Sequence, residues 1–189
     1  MNAGRISRDT WAMELAQVTS RRATCLRRRV GCVLLSDRGH VLATGYNGVA
    51  AGLPHCNEVT GHELNPDLWV VPEDDTPAYF RVAEHWETST IPVHGHACEA
   101  AGSPSGTNLD GCGAIHAEQN ALLQCRDVHA IRAAFVTTAP CMTCTKLLLN
   151  TGCQVIVYGD DYPQAEAAMA LWTKAGRAWR QYLEPLNQA

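Results

Sequence analysis

Two cysteines three residues apart, Cys141 and Cys144, follow a proline in the segment TTAPCMTCTKLLLNTG at 137–152. Such a pair can be a redox couple, half of a structural zinc site or part of a catalytic metal site. At the start of a helix both thiols lie on one face, where the helix dipole and free N–H groups stabilise thiolates. The pair is therefore suited to metal binding, but it needs one or two more ligands.

His116 is the leading candidate for the next ligand, because Glu118 follows it two residues later in AIHAEQNALLQC. Three protein ligands leave the fourth tetrahedral position of zinc open for water, and zinc lowers the pKa of that water towards neutrality. Glu118 can then move protons without binding the metal. A lone histidine is more often structural and a lone Cys-x-x-Cys is a weak signal, but the joint pattern predicts a catalytic zinc.

The composition predicts one globular domain outside the secretory route. The chain has 189 residues, is 46% hydrophobic and 18% charged, and its formal net charge of -4 disfavours a protein that coats nucleic acid. Its first thirty residues lack a continuous apolar stretch, and no segment approaches the roughly 20 apolar residues of a membrane span. We therefore expect a reducing cytoplasm, where cysteines are more often ligands or core residues than disulfides.

The elements that must hold these residues alternate between strand and helix. The patterns predict strands over 30–36, 40–48, 133–139, 154–158 and 178–183, and helices over 9–21, 114–125, 142–152 and 164–176. Asp9 is the expected cap of the first helix, and Gly152 and Gly176 are expected to end the last two. This alternation predicts an α/β sandwich of three layers.

Residues 49–113 interrupt this order. The segment holds most of the prolines and shows little periodicity. A long irregular stretch inside one domain is usually functional or stapled by a metal. Five of the eight histidines fall here, namely His55, His62, His85, His94 and His96.

Several motifs together resemble one known family. The pair His-x-Glu and Pro-Cys-x-x-Cys is the signature of zinc deaminases. With it come an arginine-rich approach to Val30 and Gly31, ATGYNG at 43–48, and VIVYGDDYP at 155–163. Over roughly residues 10–180 the chain resembles the deoxycytidylate (dCMP) deaminases of the zinc-dependent cytidine deaminase superfamily. GYNG followed by a long insertion before HAE is the more specific part of this resemblance.

The resemblance implies a fold and a reaction. The expected fold is a cytidine deaminase-like three-layer α/β/α sandwich with a five-stranded mixed sheet, in which the catalytic zinc lies at the start of two helices. The chain is expected to be a single domain, 1–189, with a metal-stapled insertion at about 49–113. The expected reaction converts dCMP and water to dUMP and ammonia by attack at C4, which feeds thymidylate synthesis. A homo-oligomer such as a hexamer, activation by dCTP with Mg²⁺ and inhibition by dTTP are also implied.

The same resemblance assigns site residues. It makes His116, Cys141 and Cys144 the catalytic zinc ligands and Glu118 the proton shuttle. Asn47 is expected to contact the sugar hydroxyl, although an Asn-Gly pair also suits a turn. Expected nucleotide contacts are the backbones of Ala114 and Ala139 and the ring of Tyr162, which could equally be a packed loop aromatic.

An arginine run beside GYNG is a candidate phosphate site. Arginine forks match phosphate oxygens, but most charge runs are solvated helix ends. The run comprises Arg21, Arg22, Arg27, Arg28 and Arg29. The candidates for effector or phosphate contacts are Arg27, Arg28 and Arg29, with Tyr46 and Gly48 of the neighbouring loop.

A second, structural zinc is expected in the insertion. A Pro/Gly-rich segment cannot bury enough apolar surface to order itself, and a closed four-ligand zinc contributes the missing energy. By the resemblance its ligands are Cys25, Cys56, Cys98 and Cys112, with His94 or His96 in place of Cys98 as alternatives. The opposing interpretation makes these cysteines small core residues, as we expect for Cys32, Cys125 and Cys153.

Other functions remain open at this point. The substrate could be dCTP, a 5-substituted dCMP or a polynucleotide, although the acidic chain lacks an aromatic stacking stripe. A zinc-stabilised binding protein without catalysis is a third alternative, against which Glu118 argues, because a purely structural site needs no such carboxylate. If the source is viral, the expected location is the host cytoplasm.

Overall fold

The computed structural model describes residues 4–56, 98, 100, 103–104, 106–107, 112–163 and 165–183. Most of the predicted insertion, with His62, His85, His94 and His96, lies outside the described residues. The helices are α1 Arg8–Ser20, α2 Ala117–Gln124, α3 Met142–Leu149 and α4 Ala165–Lys174. The strands are β1 Gly31–Ser36, β2 Val41–Tyr46, β3 Gly48–Val49, β4 Ala114–Ile115, β5 Ile131–Thr138, β6 Val155–Asp160 and β7 Ala178–Gln181.

A five-stranded mixed sheet in the order β2-β1-β5-β6-β7 forms the centre. The hairpin partner β2 and the later strand β5 both pair with β1 in antiparallel direction. The β5–β6 and β6–β7 pairs are parallel. Parallel neighbours need a crossover, which α3 and α4 supply in turn. The predicted mixed sheet is therefore confirmed.

Helices cover both faces of the sheet, so the three-layer prediction is also confirmed. The side chains of Ala12, Met13 and Ala16 pack α1 on one face, against a core that includes Val33 and Phe135. The opposite face is covered by residues of α2, α3 and α4, which pack on alternate strand residues. Its core includes Cys32, Leu34, Ala121, Ala134, Leu148, Cys153, Ile156 and Trp172. The alternation of β1 between the two cores follows from the two-residue period of a strand.

Several element boundaries differ from the sequence predictions, and three of the differences concern a helix cap or a helix end. The cap of α1 is Ser7, whose Oγ accepts from the Thr10 N–H at 3.0 Å, whereas Asp9 forms an ion pair with Arg180. The helix predicted from residue 114 begins only at Ala117, because 114–115 pair with β3 as the short strand β4. A backbone hydrogen bond to a strand and a helical turn exclude each other, and here the tertiary pairing prevails over local propensity.

The third difference concerns Gly152, which does not end a helix. The helix α3 ends at Leu149, and Gly152 is not among the described glycines with positive φ. A Cβ at Gly152 would lie 2.0 Å from the carbonyl oxygen of His129. The glycine is therefore needed for close backbone approach, whereas Gly176, at φ +74°, ends α4 as predicted.

Glycine also lets α2 sit directly on the sheet. A Cβ at Gly45 in β2 would lie 2.2 Å from the Ala117 carbonyl oxygen and 2.4 Å from the Ala121 backbone nitrogen. These contacts are with backbone atoms, which cannot rotate away. The start of α2, with His116 and Glu118 beside it, is thus set by the absence of a side chain at Gly45.

No helix within the described part of the chain is both long and apolar enough to traverse a bilayer.

Replacing Gly45 by Ala should therefore destabilise the fold strongly. Forcing a methyl group against the α2 backbone is expected to lower the free energy of unfolding by about 1–3 kcal/mol. Urea unfolding followed by circular dichroism measures this change. The matched control is Gly48→Ala, whose Cβ would meet only Tyr46 ring carbons at 3.7 Å or more. Equal stability of the two variants would contradict the close-packing role of Gly45.

Candidate metal centre and cleft

Two helix starts hold the predicted metal ligands. His116 is the N-cap of α2 and Cys141 is the N-cap of α3, both in extended backbone conformation. The His116 N–H donates to Gln119 Oε1 at 2.8 Å, which fixes the first turn of α2. Cys144, fully buried, follows one turn into α3. Both helices cover the same face of the sheet, so their N-termini can meet.

The spacing of the three ligand atoms fits a zinc ion. His116 Nδ1 lies 3.5 Å from Cys141 Sγ and 3.4 Å from Cys144 Sγ. Within the described residues, these three form the group of potential ligands whose atoms all lie within 4.8 Å of one another. Zn–N and Zn–S bonds at tetrahedral angles separate nitrogen and sulfur by about 3.6 Å. The donor types and their separations therefore suit zinc.

The protonation of these groups is strongly coupled. Hydrogen bonds from the Cys144 thiol and from His116 hold the pKa of Cys141 down to about 4. The same Cys141 contact raises the pKa of His116, while the hydrogen bond to Cys141 and burial hold the pKa of Cys144 well above its usual value. Metal binding needs the ligands deprotonated and would therefore release the protons that they carry.

Glu118 lies one residue inside α2 with its carboxyl group buried. It is 4% exposed, and burial raises its pKa to about 7, an effect that its own backbone N–H and His116 partly offset. A buried carboxyl that neither binds a salt-bridge partner nor faces solvent is costly for stability alone. A pKa near neutrality is what a group needs to accept and release a proton in turn.

A cleft of about 590 Å³, counted out to open solvent, leads to these groups. Eleven predicted site residues line it: Cys25, Arg27, Arg28, Asn47, Cys112, Ala114, His116, Glu118, Ala139, Cys141 and Tyr162. The sequence reasoning missed Thr138, which also lines the cleft at 5% exposure. Its position at the end of β5, two residues before Pro140, is the feature of the sequence that could have identified it.

Asn47 is buried at the cleft wall, but its amide already has protein partners. Its Oδ1 accepts from the Val30 N–H at 2.7 Å, and its Nδ2 donates to the Arg28 carbonyl at 2.8 Å. An amide carries two N–H donors, so one is left for a ligand. Both interpretations of Asn47 are thus compatible with its place: it organises the loop and it faces the cleft.

The backbone N–H groups of the residues predicted to contact the base already make hydrogen bonds within the protein. The Ala139 N–H donates to the Asp160 carbonyl at 2.8 Å, so a ligand contact through this residue would use its carbonyl. The Ala114 N–H contributes a hydrogen bond to the Cys112 thiol. Ala114 and Ala139 therefore shape the wall between the metal ligands and the neighbouring loops.

The remaining loop candidates lie outside the cleft. Arg29 is exposed, and Tyr46 is 36% exposed with its carbonyl accepting from Asn120 Nδ2 at 2.8 Å. Gly48 pairs with Ile115 in the short β3–β4 ladder. Among the described residues that line the cleft, the arginines of the predicted run are Arg27 and Arg28.

The four cysteines predicted for a second metal converge beside this cleft. Cys56 and Cys98 form a buried cluster with Ala100, and Cys112 packs against it. Burial and the neighbouring thiols, Cys98 first, raise the pKa of Cys56 to about 12, and Cys25 belongs to the same electrostatic group. Their sulfur atoms are more widely spaced than the His116 group. His94 and His96, the alternative ligands, lie outside the described residues.

The three cysteines expected in the core differ in exposure. Cys32 and Cys153 are fully buried in the core under α2 and α3. Cys125, the C-cap of α2, is partly buried and packs on the same core. These positions agree with the packing role that we expected for them.

A His–Cys–Cys ligand set beside a glutamate that does not bind the metal defines the zinc-dependent deaminases as a class. The protein-family model described as "Cytidine and deoxycytidylate deaminase zinc-binding region" matches residues 6–160. The chain therefore belongs to this zinc-binding deaminase family, as the sequence motifs predicted.

Named relatives are similar across most of the chain. Over 189 residues it is 33% identical to the deoxycytidylate deaminase of Schizosaccharomyces pombe, covering 98% of this chain and 47% of the yeast protein. It is 29% identical to the deoxycytidylate deaminase of Mycobacterium phage D29, covering 79% of this chain and 92% of the phage protein. The chain spans about half the length of the relatives from Schizosaccharomyces pombe and Saccharomyces cerevisiae.

A solved structure has the same fold. The crystal structure of dCMP deaminase from the cyanophage S-TIM5 in complex with dCMP and dUMP superimposes with a TM-score of 0.58 at 20% identity. The match covers 92% of this chain and 95% of the phage chain. The cytidine deaminase-like α/β fold is thus confirmed.

Asn47→Ala should cost stability because two buried hydrogen bonds are lost. We expect the free energy of unfolding to fall by about 1–3 kcal/mol, since the Val30 N–H and the Arg28 carbonyl lose their partner. Urea unfolding measures the change. Asn120→Ala is the matched control, because this amide bonds the Tyr46 carbonyl at an exposed site. A smaller loss in Asn47→Ala than in the control would refute the loop-organising role.

Proposed function

We propose that this protein catalyses the hydrolytic deamination of dCMP to dUMP and ammonia. The observation that carries the proposal is the buried carboxyl of Glu118 beside three converging ligands at the base of a cleft. A structural metal site has no use for an uncoordinated buried carboxyl, whereas a hydrolytic site needs one.

In this proposal His116 Nδ1, Cys141 Sγ and Cys144 Sγ hold the zinc. Bound in a three-ligand site, zinc supplies the Lewis acidity that makes water a nucleophile near neutral pH. Glu118 accepts one proton from the attacking water and delivers it to N3 of the cytosine ring, and then takes the second proton from the new C4 hydroxyl and delivers it to the leaving amine. Water adds at C4, the C4–N bond breaks and ammonia leaves. The pKa of Glu118 near 7 suits both transfers.

A cytosine nucleotide is the substrate class that the cleft walls support best. Arg27 and Arg28 line the cleft together with Glu118, and Tyr162 offers a ring. The second N–H of Asn47 is a donor for a sugar hydroxyl. Relatives in yeast and phage carry the name deoxycytidylate deaminase, which favours the monophosphate. The alternative substrates are dCTP or a 5-substituted dCMP; the net charge of -4 disfavours a polynucleotide.

We further propose a second, structural zinc held by Cys25, Cys56, Cys98 and Cys112, with His94 or His96 as alternative ligands. The support is the convergence of the four cysteines on one cluster, in which burial and the neighbouring cysteines raise the pKa of Cys56. A cation held between such cysteines would favour their thiolates. The metal would staple the segment over 49–113 onto the single domain over 1–189.

The family membership also supports proposals about regulation and assembly. We propose a homo-oligomer, with a hexamer as the first candidate, and control by dCTP with Mg²⁺ and by dTTP. Arg29, Tyr46 and Gly48, which lie outside the cleft, remain candidates for an effector contact. The proposed location is the cytoplasm, or the host cytoplasm for a viral protein.

Glu118→Gln should abolish turnover and keep the metal. The amide cannot accept the water proton, so ammonia release from dCMP is expected to fall by roughly 10²–10⁴-fold or more. Zinc content, measured by inductively coupled plasma mass spectrometry, should equal that of the wild type. Assays need dCTP and Mg²⁺ present in case activation is required. The matched control is Glu166→Gln at an exposed position of α4.

Two results would contradict this proposal. Retained activity in Glu118→Gln would remove Glu118 from the mechanism. Zinc-replete wild type that releases no ammonia from dCMP, but does so from dCTP or a 5-substituted nucleotide, would keep the chemistry and replace the substrate.

Metal analysis tests the second zinc. We expect close to two zinc ions per chain in protein never exposed to chelator, and close to one in Cys56→Ser, because a closed site tolerates no missing thiolate. Cys125→Ser, a change at a cysteine outside both groups, should keep two. A wild-type value near one would rule out the second site.

A further inference from the structure

We propose that Arg28 is a positioning residue that fixes Tyr162 at the rim of the cleft. The proposal concerns the contact itself. Only its activity test rests on the proposed deamination.

The side chain of Arg28 is already engaged with the loop after β6. Its Nη1 donates to the Asp161 carbonyl at 3.0 Å, and its Cζ lies 5.9 Å from the centroid of the Tyr162 ring. The guanidinium thus donates a hydrogen bond to the backbone of Asp161 and lies over the ring of Tyr162 at cation–π distance. The bond to Asp161 uses one of the five N–H donors of the guanidinium.

Tyr162 is held from a second side as well. A Cβ at Gly106 would lie 3.1 Å from the Tyr162 hydroxyl oxygen, so this glycine approaches the phenol closely. Both Gly106 and Tyr162 line the cleft. The ring therefore lies between Arg28 and the Gly106 backbone, and loss of Arg28 would free it on one side.

The backbone of Arg28 is anchored in its turn. Asn47 Nδ2 donates to the Arg28 carbonyl at 2.8 Å, and the Asn47 N–H donates to the Val30 carbonyl at 3.2 Å. Asn47 is 8% exposed. A continuous set of contacts thus runs from the end of β2 through Asn47 and Arg28 to Tyr162, across positions far apart in the sequence.

The neighbouring Arg27 has a different set of contacts. Its Nη1 donates to the carbonyls of Thr107 at 2.7 Å and Pro104 at 3.3 Å, and it lies over no described aromatic ring in cation–π contact. The two adjacent arginines therefore hold different segments of the chain beside the cleft. For Arg28 the expected consequence of removal is a rise in KM with little change in kcat, because no reacting atom is touched.

A double-mutant cycle with Tyr162 tests the proposal. The variants are Arg28→Met, Tyr162→Leu and the pair, with Tyr162→Phe to keep the ring. We expect Arg28→Met to lower kcat/KM for dCMP about tenfold in the wild type and in Tyr162→Phe, mainly through KM, but less than about twofold in Tyr162→Leu. Arg38→Met, at an exposed turn, is the matched control and should be neutral.

A stability cycle supplies the readout that needs no substrate. In thermal unfolding, Arg28→Met should lower Tm by about 3 °C in the wild type and by about 1 °C in Tyr162→Leu. Equal losses of kcat/KM in both backgrounds would overturn the proposal and make Arg28 a direct ligand. If the wild type does not deaminate dCMP, the stability cycle decides alone: non-additive Tm shifts support the contact, and additive shifts overturn it.

Discussion

The site depends on two helices that begin at the same place. His116 and Cys141 each occupy an N-cap, the position at which the backbone is still extended and the side chain turns towards the free N–H groups. This places an imidazole and a thiol, with Cys144 one turn later, around a common point. The partial positive charge of two helix N-termini favours the thiolates there. Any change that moves either helix start therefore moves a metal ligand.

The sheet determines where the helices start, and glycines in the strands determine how closely the helix backbone approaches the sheet. At Gly45 the backbone of α2 touches β2 where a methyl group would not fit. At Gly31 in β1, a Cβ would lie 2.0 Å from the Ala16 carbonyl oxygen of α1. Backbone-to-backbone packing leaves little freedom to slide. The start of α2, which carries His116, is therefore fixed by main-chain contact rather than by adaptable side chains.

Local sequence patterns predicted most of this arrangement, because strands, helices and ligand spacing are read over short windows. The His-x-Glu and Pro-Cys-x-x-Cys pairs predicted the converging ligands, and the alternation of elements predicted the layers. The start of α2 was wrong, since Ala114 pairs with Val49, 65 positions earlier. The role of Gly152 was also wrong, because its contact with His129 comes from tertiary packing. Contacts such as Arg28 with Asp161, 133 residues apart, leave no periodic signal.

The cleft shares its walls with the cysteine cluster, and this links the order of the insertion to the chemistry. Cys25 and Cys112 line the same cleft as His116 and Cys141. Arg27 extends from this wall to the carbonyls of Pro104 and Thr107, residues of the insertion. A charged side chain held by two backbone carbonyls keeps its position only while that backbone is ordered. Order at Pro104 and Thr107 therefore matters beyond a peripheral segment, because the same contacts shape the space in which a substrate would lie.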